Sequence, residues 1–196
     1  MSRTTTLILV ALGAALVGFV FSSAADRFRD EDSGEGASVA ARPQAAELGW
    51  RERFRAGNHA LVFGVERFEV VPGGWRAEIS IANETTTAFG VGDPRATLDR
   101  QFGVMLFATG KRDELERLNA RGALPTLRAA TAFEPPLPKI LEPGEEWSGT
   151  ISAPGALVAG SWVRVVFGAL VAVGKPPEGL PARVVWISDH AYELAT

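Results

Sequence analysis

The feature that most constrains this chain is the two-residue spacing of its apolar side chains. In the stretch WRAEISIAN, residues 75–83, Trp75, Ala77, Ile79 and Ile81 fall on one face and polar residues fall on the other. Because successive side chains of a strand point to opposite faces of a sheet, this alternation predicts a strand with one buried face. Other runs rich in branched or aromatic residues lie at 60–71, 102–108, 147–151, 162–173 and 182–188.

The connections between these runs favour an antiparallel arrangement. Pro72–Gly74, which separates the first two runs, contains glycines that can supply the positive φ of a tight hairpin. A parallel sheet would require crossover helices, and helical patterning is almost missing between the runs. The sequence therefore predicts an all-β, two-sheet antiparallel sandwich over residues 57–196, built from about six or seven strands.

One short helix is expected inside the longest connection, residues 109–139. Leu115 and Leu118 share a helical face there, and Asp113 and Arg117 are spaced for an i,i+4 ion pair. A connection of this length in a compact sandwich is uncommon and is often functional.

The N-terminal stretch predicts a membrane segment. Residues 4–25 carry no charged side chain and are rich in Leu, Val, Ala and Phe. As a helix they would span about 33 Å, close to the hydrocarbon thickness of a bilayer. We expect residues 1–25 to form a single-pass transmembrane anchor, with the C-terminal domain outside the cytoplasm.

A cleaved signal peptide is the alternative for the same stretch. Ser23-Ala24-Ala25 resembles the small-residue site at which such peptides are processed. Arg27 and Arg29 follow the apolar stretch, so the distribution of basic residues does not define the orientation cleanly. Both alternatives place the domain outside the cytoplasm.

Residues 26–56 are interpreted as a juxtamembrane tether. Their first part is rich in charge, Ser, Gly and Ala, a composition that cannot bury enough apolar surface to become ordered. Residues 47–57, ELGWRERFRAG, mix Leu48, Trp50 and Phe54 with arginines. This mixture fits a segment at the membrane interface, or a first edge strand or short helix packed on the domain, which we favour.

The stretch LEPGEEWSG, residues 141–149, is interpreted as a turn. Pro143 and Gly144 would reverse the chain before Trp147 enters a strand. Glu145 and Glu146 would then be solvated, because adjacent strand residues point to opposite faces and cannot converge on one bond as paired catalytic carboxylates must.

The pair WRAEISIANETT (75–86) and LEPGEEWSGTI (141–151) resembles a pattern in immunoglobulin-like domains of bacterial envelope and secreted proteins. The resemblance covers roughly residues 57–190, and it implies that Asn83 ends its strand by bonding a turn backbone. The chain departs from antibody-type domains because it has no cysteine for an inter-sheet disulfide. The preference for arginine over lysine, with abundant alanine and glycine, resembles the residue usage of high-GC bacteria such as actinobacteria.

Several classes of chemistry are disfavoured. The net charge of −3 gives no general attraction to a nucleic-acid backbone, and the lack of cysteine excludes thiolate sites. We expect no catalytic set, no metal site and no cofactor. His190 follows Asp189, but neighbours in an extended chain point apart, so His190 is assigned a surface or capping role.

The best candidate for a binding surface is the loop region that contains Phe89, Asp93 and Arg95, together with Phe133. Each phenylalanine is either buried in the domain or exposed as a contact for a partner, and we favour burial for Phe89. The function hypothesis is a non-enzymatic, membrane-anchored module that contacts another envelope protein. The alternative is a cell-wall glycan-binding domain that uses Trp50, Trp147, Trp162 or Trp186 as stacking platforms.

Overall fold

The structure is a computed structural model that describes residues 39–92 and 102–196. These residues form twelve strands and one helix. In chain order they are β1 Gln44–Ala56, β2 His59–Val71, β3 Gly74–Glu84, β4 Phe89–Val91, β5 Gly103–Phe107, α1 Arg112–Ala120, β6 Arg128–Ala129, β7 Ala132–Glu134, β8 Ile140–Leu141, β9 Glu146–Pro154, β10 Trp162–Ala172, β11 Arg183–Ile187 and β12 Tyr192–Glu193.

The strands form two antiparallel sheets, so the prediction of an all-β fold with one short helix is confirmed. The first sheet has the order β1-β2-β3-β9-β7. The second has the order β6-β5-β10-β4-β8, and β11 and β12 also pair with β10. The connection predicted as residues 109–139 carries more than its helix, because β6 adds to the second sheet and β7 adds to the first.

The core lies between the two sheets. Residues alternating along β2 and β3 face residues alternating along β10. Phe63 of β2 shows the contact directly, since its ring lies 5.1 Å from Phe167 of β10 and is stacked at 5.5 Å on Trp186 of β11. The two-residue spacing of Trp75, Ala77, Ile79 and Ile81 therefore identified the buried face of β3.

The domain begins earlier than the predicted boundary at residue 57. Strand β1 starts at Gln44, inside the interval predicted as tether, and pairs with β2 along its length. A bulge between Glu47 and Trp50 contains Gly49 at a φ of 58°, a conformation that glycine adopts without strain. Of the two alternatives for residues 47–57, the edge strand is the one observed.

The predicted anchor, residues 4–25, and the tether up to residue 38 lie outside the described residues. Among the residues that the structure describes, no helix has both the length and the hydrophobicity needed to span a bilayer.

Helix α1 forms where the sequence predicts it, with Leu115 buried. The predicted ion pair between Asp113 and Arg117 is wrong. Arg117 instead lies 3.8 Å from Glu114, and Arg112 lies 3.1 Å from Glu116. Both i,i+3 and i,i+4 neighbours lie within reach on a helix surface, so spacing alone does not select the partner.

The turn predicted at Pro143-Gly144 lies between β8 and β9, with Gly144 at a φ of 80°. It is joined to the end of β3, because the Gly144 N–H donates to the carbonyl of Asn83 and the Asn83 N–H donates to the carbonyl of Glu145. The buried Asn83 side chain donates to the carbonyls of Thr87 and Leu141. The predicted role of Asn83 in bonding turn backbone is confirmed, and the two sequence stretches that suggested it contact each other.

Candidate functional site

Phe89, one of the predicted partner-binding residues, is fully buried. It begins β4 and lies opposite Leu141 of β8 and Ala172 of β10, inside the core. The favoured reading, in which the ring plugs the domain, is the one observed. Asp93 and Arg95, which follow it in the predicted loop, lie outside the described residues.

Phe133 lies in β7 of the first sheet, opposite Ile151. Its ring meets Phe102 edge to face, with centroids 5.9 Å apart, and is partly buried against the core. Phe89 belongs to the second sheet, so the two phenylalanines are not brought together on one surface.

A different set of side chains exposes apolar surface close to Phe89. Ile140 is 43% exposed, Val173 is 54% exposed and Val185 is 39% exposed. Alternation places Ile140 and Val185 on the outer face of the second sheet, because their chain neighbours Leu141 and Val184 are in the core. Val173 directly follows the last residue of β10.

The pairing register shows how these residues are arranged. Ile140 lies opposite Gly90, and Gly90 lies opposite Val171, so the glycine leaves a notch between two apolar side chains. Val173 follows the end of β10, and its N–H donates to the carbonyl of Ala88 beside β4. We call Ile140, Val171, Val173 and Val185 the apolar outer patch.

A group of buried, hydrogen-bonded charged side chains lies elsewhere, between β1 and the segment that follows β11. Glu52 points inward from β1, and its side chain is only 6% exposed. Its Oε2 accepts hydrogen bonds from Trp186 Nε1 at 2.7 Å and the Asp189 N–H at 2.8 Å. Its Oε1 accepts from the His190 N–H at 3.0 Å and from His190 Nδ1 at 2.7 Å.

Arg164 of β10 holds the same segment from its other side. The side chain is fully buried, and Nη1 donates to the carbonyls of Ser188, Asp189 and His190. Nη2 donates to the carbonyl of Gly110 at 2.9 Å, while Nε is buried without an acceptor. Glu52 therefore accepts from the N–H groups of Asp189 and His190, and Arg164 donates to the carbonyls of residues 188–190. We call this arrangement the inter-sheet clamp.

The electrostatics of the clamp follow from its burial. Burial raises the pKa of Asp189, and the neighbouring charge of Glu52 raises it further, while Arg112 at 3.2 Å opposes the shift. Burial lowers the pKa of Arg164, and the carboxylates of Asp189 and Glu52 oppose that shift.

The clamp is suited to holding the sheets together. A carboxylate has about four lone-pair sites, and Glu52 receives four hydrogen bonds. The Ser188 hydroxyl is also occupied, since it donates to the carbonyl of His190 and accepts from the N–H of Val165. Of the surface or capping role predicted for His190, the surface position is observed, since its side chain is 59% exposed and its ring is stacked on Trp50 at 5.5 Å.

Two surface depressions among the described residues lie away from the clamp. One, of about 320 Å³, adjoins the β2–β3 turn and is lined by residues that include Trp75, Arg76 and Ser152. The other, of about 380 Å³, lies on the outer face of the first sheet and is lined by residues that include Glu78 and Ser148. Within residues 39–92 and 102–196, no group of three or more His, Cys, Asp or Glu side chains is arranged to hold a metal ion.

The sequence analysis did not predict the clamp, although the position of Glu52 gave an indication of it. Glu52 alternates with Trp50 and Phe54, so a charged residue stands on the apolar face of the strand. The sequence gives no sign that Arg164 is buried, because it stands on the outer face of β10. The residues that it bonds, Gly110 and 188–190, are distant in the chain.

Comparisons with known proteins found no significant similarity. No protein-family model matches the chain. Searches of curated proteins and of solved structures found no significant match either.

Proposed function

We propose that this protein is a non-enzymatic interaction module that contacts another envelope protein, and that residues 4–25 hold it in the membrane with the β-domain outside the cytoplasm. The observation that carries the proposal is the apolar outer patch. Exposed apolar side chains that gather on one surface with polar groups around them often mark protein–protein contacts.

The arrangement of the patch supports a protein partner. Ile140, Val171 and Val185 belong to strands β8, β10 and β11 of one sheet, and the backbone of Val173 is hydrogen-bonded to Ala88. The Gly90 notch between Ile140 and Val171 offers a recess for an inserted side chain. Aliphatic side chains of this kind exclude water at the centre of an interface, and the exposed residue Arg183, opposite Val171, provides a polar group beside them.

We further propose that the domain is immunoglobulin-like. Two antiparallel sheets that enclose one core support this assignment, as does the bonding of Asn83 to the turn after β8. Domains of this architecture present binding surfaces on a stable scaffold, which agrees with an interaction role.

The non-enzymatic part of the proposal is supported by the state of the ionisable groups in the clamp. The carboxylate of Glu52 and the Nη atoms of Arg164 are engaged in internal hydrogen bonds, and the depressions described above lie elsewhere. A reaction centre would need a cleft where unengaged groups converge on a substrate.

The glycan-binding alternative receives less support from the indoles. Trp147 is buried and donates to the carbonyl of Pro136, and Trp186 donates to Glu52. Trp50 is stacked on His190, and the ring of Trp162 packs against Gly110. A stacking platform needs a ring face open to the sugar.

Photocrosslinking in intact cells tests the proposal. A benzophenone amino acid would be placed at Ile140 or Val173 of the full chain, and at Ser148, an exposed position of the first sheet, as the control. We expect Ile140 and Val173 to crosslink the same exported or membrane protein, and Ser148 not to. Val173→Asp should abolish the crosslink from Ile140 without lowering the melting temperature. Crosslinks that do not differ between patch and control positions would refute the proposal.

A further inference from the structure

Strand β1 is an open edge of the first sheet. Among the described residues it pairs only with β2, so one side of its backbone has no strand partner. After the bulge at Gly49 the strand runs regularly from Trp50 to Ala56. An edge of this kind presents alternating N–H and C=O groups that can bond another extended chain.

The outer face of this segment carries a row of arginines. Arg51, Arg53 and Arg55 are spaced two residues apart, or about 6.6 Å along the strand. Arg53 reaches across β2 to Glu84 of β3, with Nη2 3.0 Å from Oε1. Arg51 and Arg55 have no ion pair among the described residues. We call these three residues the arginine ladder.

The opposite face of the same segment is apolar at the two positions that border the edge. Trp50 and Phe54 point into the sandwich and are partly buried against the core. Glu52 stands between them but is enclosed in the inter-sheet clamp. The edge therefore has a cationic side and an aromatic side.

We propose that residues 50–56 bind an extended peptide by strand addition, and that the peptide alternates acidic and apolar residues. On an added strand, the side chains of one face would stand directly opposite the arginine ladder, where carboxylates form charge-assisted hydrogen bonds. Those of the other face would lie beside Trp50 and Phe54, where apolar side chains extend the core. This surface lies in the first sheet, so it is separate from the apolar outer patch.

Charge argues against two other occupants of the edge. A second copy of the chain, paired antiparallel about Arg53, would place Arg51 opposite Arg55 of the other copy, and like charges directly opposite are destabilising. An anionic membrane surface would meet the arginines, but Trp50 and Phe54 face the other way and could not insert as interfacial anchors.

The test measures binding of synthetic peptides to the full chain in detergent micelles by fluorescence anisotropy. The probe is a peptide of alternating glutamate and valine. One control peptide has the same residues in blocks, and a second carries N-methyl groups on the backbone nitrogens that would face β1. We expect the alternating peptide to bind at least about tenfold more tightly than either control, because only it can both bond the edge and match the ladder.

A charge swap separates recognition from loss of folding. The double variant Arg51→Glu, Arg55→Glu should lose affinity for the glutamate peptide and gain affinity for a peptide of alternating lysine and valine. The matched control is Lys111→Glu, Arg121→Glu, which reverses two exposed charges at the ends of α1 and should leave the preference unchanged.

Three outcomes would overturn the inference. The N-methylated peptide could bind as tightly as the unmodified one, or the charge swap could fail to reverse the preference. If no peptide binds, the ladder only protects the edge from aggregation. None of these results bears on crosslinking at the apolar outer patch, so this inference and the proposed function can fail separately.

Discussion

At the scale of single residues, Glu52 places a carboxylate between two sheets that otherwise meet through apolar side chains. Removing such a charge from water is costly unless hydrogen bonds replace those that water supplied. The four donors around Glu52 meet that requirement, and three of them belong to residues 189–190. The side chain of Glu52, in the first sheet, thus positions the backbone of residues 189–190, which follow strand β11 of the second sheet.

Replacing Glu52 with glutamine should destabilise the domain by about 2–3 kcal/mol. The NH₂ group of glutamine would face buried N–H groups that now donate to the carboxylate, and these would lose their acceptor. Denaturant unfolding followed by tryptophan fluorescence would measure the change. Glu47→Gln is the control on the same strand, since Glu47 is exposed and, among the described residues, forms an ion pair only with Arg67. Its expected cost is below about 1 kcal/mol. Equal costs for the two variants would show that the clamp contributes no special stability.

At the scale of elements, ion pairs connect the outer faces of the first three strands. Glu47 of β1 lies opposite Arg67 of β2, which also binds Glu69 two residues along the strand. Glu69 in turn lies opposite Arg76 of β3 and binds it. Pairs of opposite charge at facing positions favour one register and leave this face solvated.

This network should make stability depend on pH through Glu69. The hydrogen bond from Arg76, reinforced by Arg67, lowers the pKa of Glu69 against the opposing effect of burial. Because the pKa is lower in the folded state, the stabilisation is present above the ordinary glutamate pKa and is lost as the pH falls towards the folded value.

Glu69→Gln should therefore lower the free energy of unfolding at neutral pH, and the difference from the unmodified protein should shrink as the pH falls below the ordinary glutamate range. Urea unfolding at a series of pH values would show this. Glu78→Gln serves as the control, because Glu78 is an exposed residue of β3 without an ion pair among the described residues. A difference between wild type and Glu69→Gln that stays constant with pH would contradict the role of Glu69.

At the scale of the whole molecule, the proposed function requires the β-domain to lie across the membrane from the N-terminus. The chain contains no cysteine, so single introduced thiols report position without background. Ser148 is exposed on the first sheet, and Ser2 precedes the predicted anchor.

In spheroplasts, a membrane-impermeant maleimide should label the Ser148→Cys variant at once and the Ser2→Cys variant only after permeabilisation. Mass spectrometry of the N-terminus would show whether the first residues are retained. Labelling of Ser2→Cys alone would reverse the proposed orientation, and loss of residue 2 from the exported protein would identify a cleaved signal peptide.

The elements that could be predicted were those long enough to show a period. The alternation of apolar residues marks the buried face of β3, and β2 and β10 are recognisable as long runs of branched and aromatic residues. The thirteen-residue β1 mixes apolar with charged residues and lies within the predicted tether. β6, β8 and β12 contain two residues each, too few to show a period. They form because the neighbouring strand offers hydrogen-bond partners, which depends on the assembled sheet.

The candidate sites divide in the same way. Phe89 could be read as a plug or as an anchor, and only the position of β4 between β8 and β10 made it a core residue. The apolar outer patch joins residues that are far apart in the chain, so no local pattern marked it.

By itself, the sequence determined that the domain is mainly β, that β3 buries alternate side chains and that turns fall at Pro72–Gly74 and Pro143-Gly144. These features depend on side-chain spacing and on the local conformations of glycine and proline. The tertiary structure alone decided that Glu52 and Arg164 share one segment, that β1 ends a sheet with its arginines outward, and that scattered valines and an isoleucine form one patch. Those outcomes depend on which strands become neighbours, and strand pairing joins residues that the chain keeps apart.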